Sequence, residues 1–205
     1  MEYTSAMKMI LVRVALFALV LAALFYALNT YIYTEKQAPS PLPPAPTVSD
    51  YKDADYQIDG TVVHLSHGVS ETEAAPGSAS KITTRYFGNE YKTELNHDGR
   101  EDVVFLLTQE TGGSGTFYYV VAALNTEQGY VGSDGYLLGD RIAPQSTGPS
   151  QNPRHKDVVV VNYAERAAGE PMTTPPSVGR SAYLKLDIAS MQWGIVQPDF
   201  EGESR

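Results

Sequence analysis

The chain has 205 residues, with 24 Asp and Glu against 15 Lys and Arg, for a formal charge of −9. An acidic surface repels phosphate backbones, which argues against nucleic acid as a partner. Cysteine is absent, and this excludes disulfides, thiolate metal centres, cysteine nucleophiles and a lipid-modified N-terminal cysteine.

Val14 to Leu28 is an uninterrupted apolar run, extended by Met9 to Val12 and by Tyr31-Ile32-Tyr33. A bilayer core takes about 20 such residues. Lys8 and Arg13 precede the run and no comparable basic cluster follows. The sequence therefore predicts a cytoplasmic segment 1–8 and a single-pass signal anchor over 9–33, set in the plasma membrane with its N-terminus inside. The rival is a cleaved signal peptide, but the run is long for one and no small-x-small cleavage site follows it. Residues 34–50 form a linker with Pro39, Pro41, Pro43, Pro44 and Pro46. Prolines at that density favour extended polyproline II, so the segment reads as a spacer between membrane and domain.

From residue 51 the pattern becomes short β-branched and aromatic runs split by Gly, Asn, Asp and Ser. Tyr56 to Leu65 reads as a hairpin about Asp59-Gly60, the strongest short-range signal for a primed turn. Residues 71–80 carry no period and read as loop. A strand is predicted over 82–87, with Gly88-Asn89-Glu90 turning the chain. Val103 to Thr108 is a continuous apolar run, as expected of a strand buried on both faces. Gly112-Gly113-Ser114-Gly115 should connect it to an antiparallel partner over 116–124. Residues 144–156 and 167–180 read as irregular, 157–163 as a buried strand, and 181–187 as a strand with one wet face. Residues 191–196 close a last hairpin. The expected fold is mainly β, an antiparallel meander of about seven to nine strands closing as a sandwich or barrel, preceded by one N-terminal transmembrane helix. It should occupy 51–200 outside the cytoplasm, with 201–205 as a tail.

The stretch with specific chemistry joins two of these strands. Glu94, Asn96 and Asp98 place oxygens at alternating positions, Gly99 allows a sharp bend, and Asp102 stands at the lip of the next strand. Calcium takes six to eight oxygens in flexible geometry. The side chains of Glu94, Asn96, Asp98 and Asp102, the carbonyl of Arg100 and a water could supply them. An EF-hand would need Glu at the twelfth position, which is Phe105 here. Glu-x-Asn-x-Asp-Gly-x-x-Asp resembles instead the calcium loops of FG-GAP and VCBS repeats, which bind the ion just before a strand. The resemblance implies Asn96, Asp98 and Asp102 as ligands, with Glu94 in place of the usual Asp. A propeller needs several such repeats and this chain has one, so the propeller fold does not follow. A wider stretch, from Phe87-Gly88-Asn89 through the acidic loop, Gly112-Gly113-Ser114-Gly115-Thr116-Phe117-Tyr118-Tyr119 and Leu138-Gly139-Asp140-Arg141 to Pro175-Pro176-Ser177, within about residues 56–190, looks like a group of uncharacterised exported bacterial β-rich domains. The alternative for the loop is a metal-free turn whose side chains bond their own backbone.

The other polar residues form no catalytic set. His64 and His67 lie three apart and would point to opposite faces of a strand. Gly112 to Gly115 lacks the Lys and helix of a phosphate loop. Asp140-Arg141 suits an ion pair pinning a turn, and no nucleophile–base constellation is visible. The sequence thus predicts a membrane-anchored, non-catalytic binding or structural module at the cell envelope, stabilised by one calcium. Its partners would be the membrane, through the N-terminal helix, and an envelope glycan or protein. A hydrolase of envelope glycan or peptide, or an inhibitor of a lytic enzyme, is the alternative.

Overall fold

The computed structural model describes residue 13, residues 16–28 and residues 49–198. Two compact units, Met1–Ala45 and Pro46–Arg205, make up the chain. In the first, residues 16–28 form a helix, about 20 Å long at 1.5 Å per residue. The transmembrane helix expected over 9–33 is not supported: no helix among the described residues is long and apolar enough to cross a membrane. The rest of that stretch lies outside the described residues, as do linker residues 34–48 and tail 201–205. The helix that is described leaves Leu16, Phe17, Leu19, Leu21, Leu24 and Phe25 exposed.

The second unit opens on a 3-10 turn, Tyr51–Asp53, capped by the Asp50 carboxylate, which accepts the Lys52 N–H at 2.8 Å. The expected hairpin follows as β1 (Asp55–Ile58) and β2 (Thr61–His64). Asp59 and Gly60 between them have φ of 49° and 77°, the left-handed pair that a primed turn requires.

The other strands are β3 (Val69–Glu73), β4 (Lys81–Thr93), β5 (Asp102–Glu110), β6 (Phe117–Thr126), β7 (Gly129–Gly132), β8 (Tyr136–Asp140), β9 (Ala143–Pro149), β10 (Val158–Glu165), β11 (Val178–Asp187) and β12 (Gln192–Ile195). All twelve belong to antiparallel sheets, as expected of a mainly β chain. A six-stranded sheet runs β3-β4-β5-β6-β7, with β8 pairing the other half of β6 on the edge that β7 uses. A four-stranded sheet runs β12-β11-β10-β9.

β5 and β6 pair antiparallel from Val103↔Ala123 to Gln109↔Phe117, as their sequence predicted. They are buried on both faces because each face has its own cover. Val104, Leu106, Val120 and Ala122 share one core with Val159, Val161, Leu184 and Leu186 of the four-stranded sheet. Val103, Phe105, Leu107, Tyr119 and Val121 share another with Tyr56, Ile58, Val63 and Leu65 of the hairpin. Each Val, Leu, Ile or Phe side chain among them contributes about 1.5–3 kcal/mol by leaving water.

The hairpin sits tightly on the β7–β8 edge. Gln57 N donates to Ser133 O at 3.2 Å, and Gly135 N to Gln57 O at 2.7 Å. A Cβ at Gly132 would stand 2.1 Å from Asp55 O, and one at Gly135 2.6 Å from Ile58 Cδ1. A side chain at Gly132 would meet backbone and push the hairpin off, whereas one at Gly135 would first displace the end of the Ile58 side chain.

Four readings of the chain are corrected. Gly88-Asn89-Glu90 is not a turn but an irregularity inside β4, whose register against β5 shifts at Tyr86/Gly88 and Gly88/Tyr91. Gly88 and Asn89 absorb it with φ of 116° and 53°, so the ladder resumes beyond. Residues 144–149 are not loop but most of β9. They pair only with β10, an edge position where the missing N–H of Pro144 and Pro149 costs little. Residues 71–73 belong to β3 and not to the 71–80 loop. Residues 178–180 open β11 and do not belong to the irregular stretch 167–180; β7, which no expectation covered, is four residues with a glycine at each end.

Candidate functional site

The acidic loop closes the turn from β4 to β5, where Thr93 and Asp102 are paired. It brings all five expected residues into one turn, but their side chains bond the protein's own backbone and one another. Glu94 Oε2 accepts from Gly99 N at 2.7 Å and its Oε1 from Asp98 N at 3.2 Å. Asn96 Oδ1 also accepts from Asp98 N, at 3.1 Å. Asp98 Oδ1 accepts from Arg100 N at 2.8 Å, and its Oδ2 from Asn96 Nδ2 at 3.2 Å. Positive φ at His97 (60°) and Gly99 (85°) turns these N–H groups inward.

Asp102 differs from the rest in being fully buried, at 0% exposure. Its Oδ2 accepts from Leu95 N at 2.9 Å and its Oδ1 from Asn125 N at 2.8 Å. One carboxylate therefore ties the loop to the end of β6. Arg100, expected to contribute a carbonyl, acts through its side chain: Nη1 lies 3.3 Å from Asp98 Oδ2 and Nη2 3.0 Å from Glu127 Oε1.

The charges respond accordingly. The Arg100 N–H, with help from the Asn96 amide and the Arg100 guanidinium, holds the Asp98 carboxyl below its ordinary value against the effect of burial. Burial pushes the Asp102 carboxyl up; the Leu95 and Asn125 N–H groups oppose this, while the charges of Glu94 and Asp98 add to it.

As a donor set for calcium, the loop fits in kind: three carboxylates and an amide, although Asp98 Oδ2 already accepts from both Asn96 Nδ2 and Arg100 Nη1. It is drawn together by N–H groups, however. Among the described residues no three His, Cys, Asp or Glu side chains are grouped as an ion would need. Beside the loop lies a cleft of about 220 Å³ with Glu94, His155 and Asp157 on its walls. Asp157 stands 3.5 Å from His97 Nε2 and 3.8 Å from Lys185 Nζ.

Elsewhere the expected Asp140–Arg141 pair forms, Arg141 Nη2 lying 2.7 Å from Asp140 Oδ2. It holds the Asp140 carboxyl below its ordinary value. Asp140 Oδ1 also accepts Thr116 N at 2.8 Å, and Arg166 Nη1 donates to Arg141 O at 2.9 Å. His64 pairs across the hairpin with Asp55 at 2.6 Å, while the His67 N–H donates to Asp53. Sequence reasoning missed Glu90, whose carboxylate accepts both the Tyr51 hydroxyl, at 2.5 Å, and the Tyr86 hydroxyl. Lys52 Nζ lies 4.0 Å from Glu90 and 4.1 Å from the Tyr86 ring centroid. Burial alone would raise the Glu90 carboxyl, but the two hydroxyls and the nearby lysines bring it below its ordinary value. Tyr51 and Glu90 are 39 positions apart, so no local spacing signals the cluster.

These shifts set a pH dependence. Glu90, Asp98 and Asp140 titrate lower folded than unfolded, so their stabilisation is present above the unfolded carboxylate range, about 4, and is lost as pH falls through the folded values. Asp102, shifted upward, works in the opposite sense. The melting temperature should fall on acidification from about pH 6 to about pH 3, and Asp140→Asn should flatten that slope. An unchanged slope in the variant would remove Asp140 from the account.

No family model matches the chain, and neither a curated protein nor a solved structure does.

Proposed function

We propose that the chain is a single-pass membrane protein with its N-terminus inside, whose β-rich domain stands outside the cytoplasm as a non-catalytic binding or structural module of the cell envelope. The observation that carries the non-catalytic half is the use made of the acidic loop. Its carboxylates hold backbone N–H groups and strap β4–β5 to β6, and a carboxylate held that way is poorly placed to move a proton for a substrate. The anchor half rests on the apolar helix 16–28, whose exposed Leu and Phe side chains suit lipid better than water, and on Lys8 and Arg13 before it. Protease added to intact spheroplasts should remove the domain. Its full protection would overturn the orientation.

A calcium ion in the loop belongs to the same proposal, as it does in the FG-GAP and VCBS loops that Glu94–Asp102 resembles. What supports it is the mutual effect of three carboxylates, with Asp102 raised partly by Glu94 and Asp98. Bound there, the ion would offset that repulsion, with Glu94, Asn96, Asp98 and Asp102 holding it and the turn reclosing around it. A ligand bound only by the folded form stabilises it by roughly 2.7 kcal/mol at a hundredfold excess over its dissociation constant. The full chain in detergent should melt higher in calcium than in chelator. Asp98→Ala should abolish the difference, and Asp134→Ala should keep it. Identical wild-type curves would leave the loop as the metal-free turn.

The cleft beside the loop keeps one rival in view, a hydrolase using Glu94 and Asp157. Turnover of peptidoglycan by the wild type, lost in Glu94→Gln at unchanged melting temperature, would replace the binding module with that enzyme.

A further inference from the structure

The β1–β2 hairpin is a two-strand layer laid over one face of the six-stranded sheet. Its two-residue turn makes Ile58↔Thr61 a hydrogen-bonded pair, and such pairs alternate along an antiparallel ladder. Gln57, at the next position, therefore aims its backbone away from β2, which is how it reaches Ser133 and Gly135. By the same alternation Val62 and His64 aim N–H and C=O away from β1. The β1 edge is thus taken, while the β2 edge has no backbone partner among the described residues. The Val62 side chain is 68% exposed beside it.

The sheet face next to that edge opens toward solvent at β3, where Thr72 is exposed and Ser70 half-buried. Ser70↔Thr84 and Thr72↔Ile82 continue it across β3 and β4. Between this face and the wall formed by Val62 and Val63 lies a cavity of about 250 Å³. On its lining, Thr84 and Gln109 are 1% and 8% exposed. Gln109 Nε2 donates to Thr84 Oγ1 at 3.0 Å.

We propose that this groove seats one extended peptide, which pairs with the free edge of β2 as a third strand of the hairpin layer and places a side chain over Thr84 and Gln109. The proposal rests on the binding-module reading and names its site and partner class. Backbone pairing supplies affinity and the cavity supplies selectivity, as in strand addition generally. The lining holds Asp59 and hydroxyls but no Lys, Arg or His. It therefore favours a β-branched or donor-bearing neutral side chain, such as Val, Thr or Asn, and disfavours an acidic one. The chain's own linker is a poor occupant, because its prolines have no N–H to give the ladder.

The test uses the full chain in detergent micelles and the peptide acetyl-Lys-Val-Thr-Val-Asn-Val-Lys-amide, with an analogue N-methylated at alternate amides. At about 1 mM, the first peptide should slow amide exchange at Val62 and His64 by about tenfold and the analogue should not. Val62→Pro should keep the wild-type melting temperature, since this N–H serves no internal ladder, and should lose the protection at His64. Unchanged exchange with the first peptide overturns the proposal, and so does equal protection by the methylated one. Protection that grows with protein concentration in the absence of peptide would assign the edge to a second copy of the chain and also overturns it. None of these outcomes touches the spheroplast result, so failure of the groove and failure of the envelope reading are distinguishable.

Discussion

Asp102→Ala is expected to destabilise the domain by about 2–4 kcal/mol, the cost of leaving two buried N–H groups without their acceptor, reduced by the relief of burying a charge. The donors are Leu95 N and Asn125 N, at 2.9 and 2.8 Å. For a domain of this size that is a fall in melting temperature of roughly 5–15 °C. Asp102→Asn keeps one acceptor oxygen and should lie between the wild type and the alanine variant. Asp98→Ala, in the exposed part of the loop, should cost less than either. If Asp98→Ala and Asp102→Ala shift the thermal melt equally in chelator, Asp102 is not the strap between loop and β6.

Phe105→Ala should cost about 3–5 kcal/mol. Phe105 is fully buried, and its ring centroid lies 5.4 Å from that of Tyr51 and 5.5 Å from those of Tyr56 and Tyr86. It is one residue through which the sheet touches both the opening 3-10 turn and the hairpin. Phe105→Leu keeps most of the volume and should cost less than about 1.5 kcal/mol. The larger truncation should also speed amide exchange along β1 and β2 more than along β10 and β11, because the latter pack on the opposite face of the sheet. Uniform acceleration in both places would mean that the two cores open as one unit, and would remove the claim of separate covers.

Only part of the site was visible in the chain. The alternating oxygens from Glu94 to Asp98 and the glycine after them mark a tight acidic turn, because a side chain bonding the backbone within five residues depends on local spacing alone. The straps that make the turn part of the domain are not local. Arg100 reaches Glu127 and Asp102 reaches Asn125, across a strand pair whose register must be set first. Glu90 shows the extreme case, since Tyr51 arrives from beyond the entire hairpin.

The same division holds for the fold. By itself the sequence determined the primed turn at Asp59-Gly60, the apolar strands β5, β6 and β10 and the pairing of β5 with β6, since backbone conformation and burial demand are written in neighbouring residues. Tertiary structure alone decided which cover lies on which face of β5, how β4 carries its ladder past Gly88 and Asn89, and that a proline-bounded segment could serve as edge strand β9. Those outcomes depend on which surfaces meet. A strand's pattern states that a face must be buried, and only the packed chain states against what.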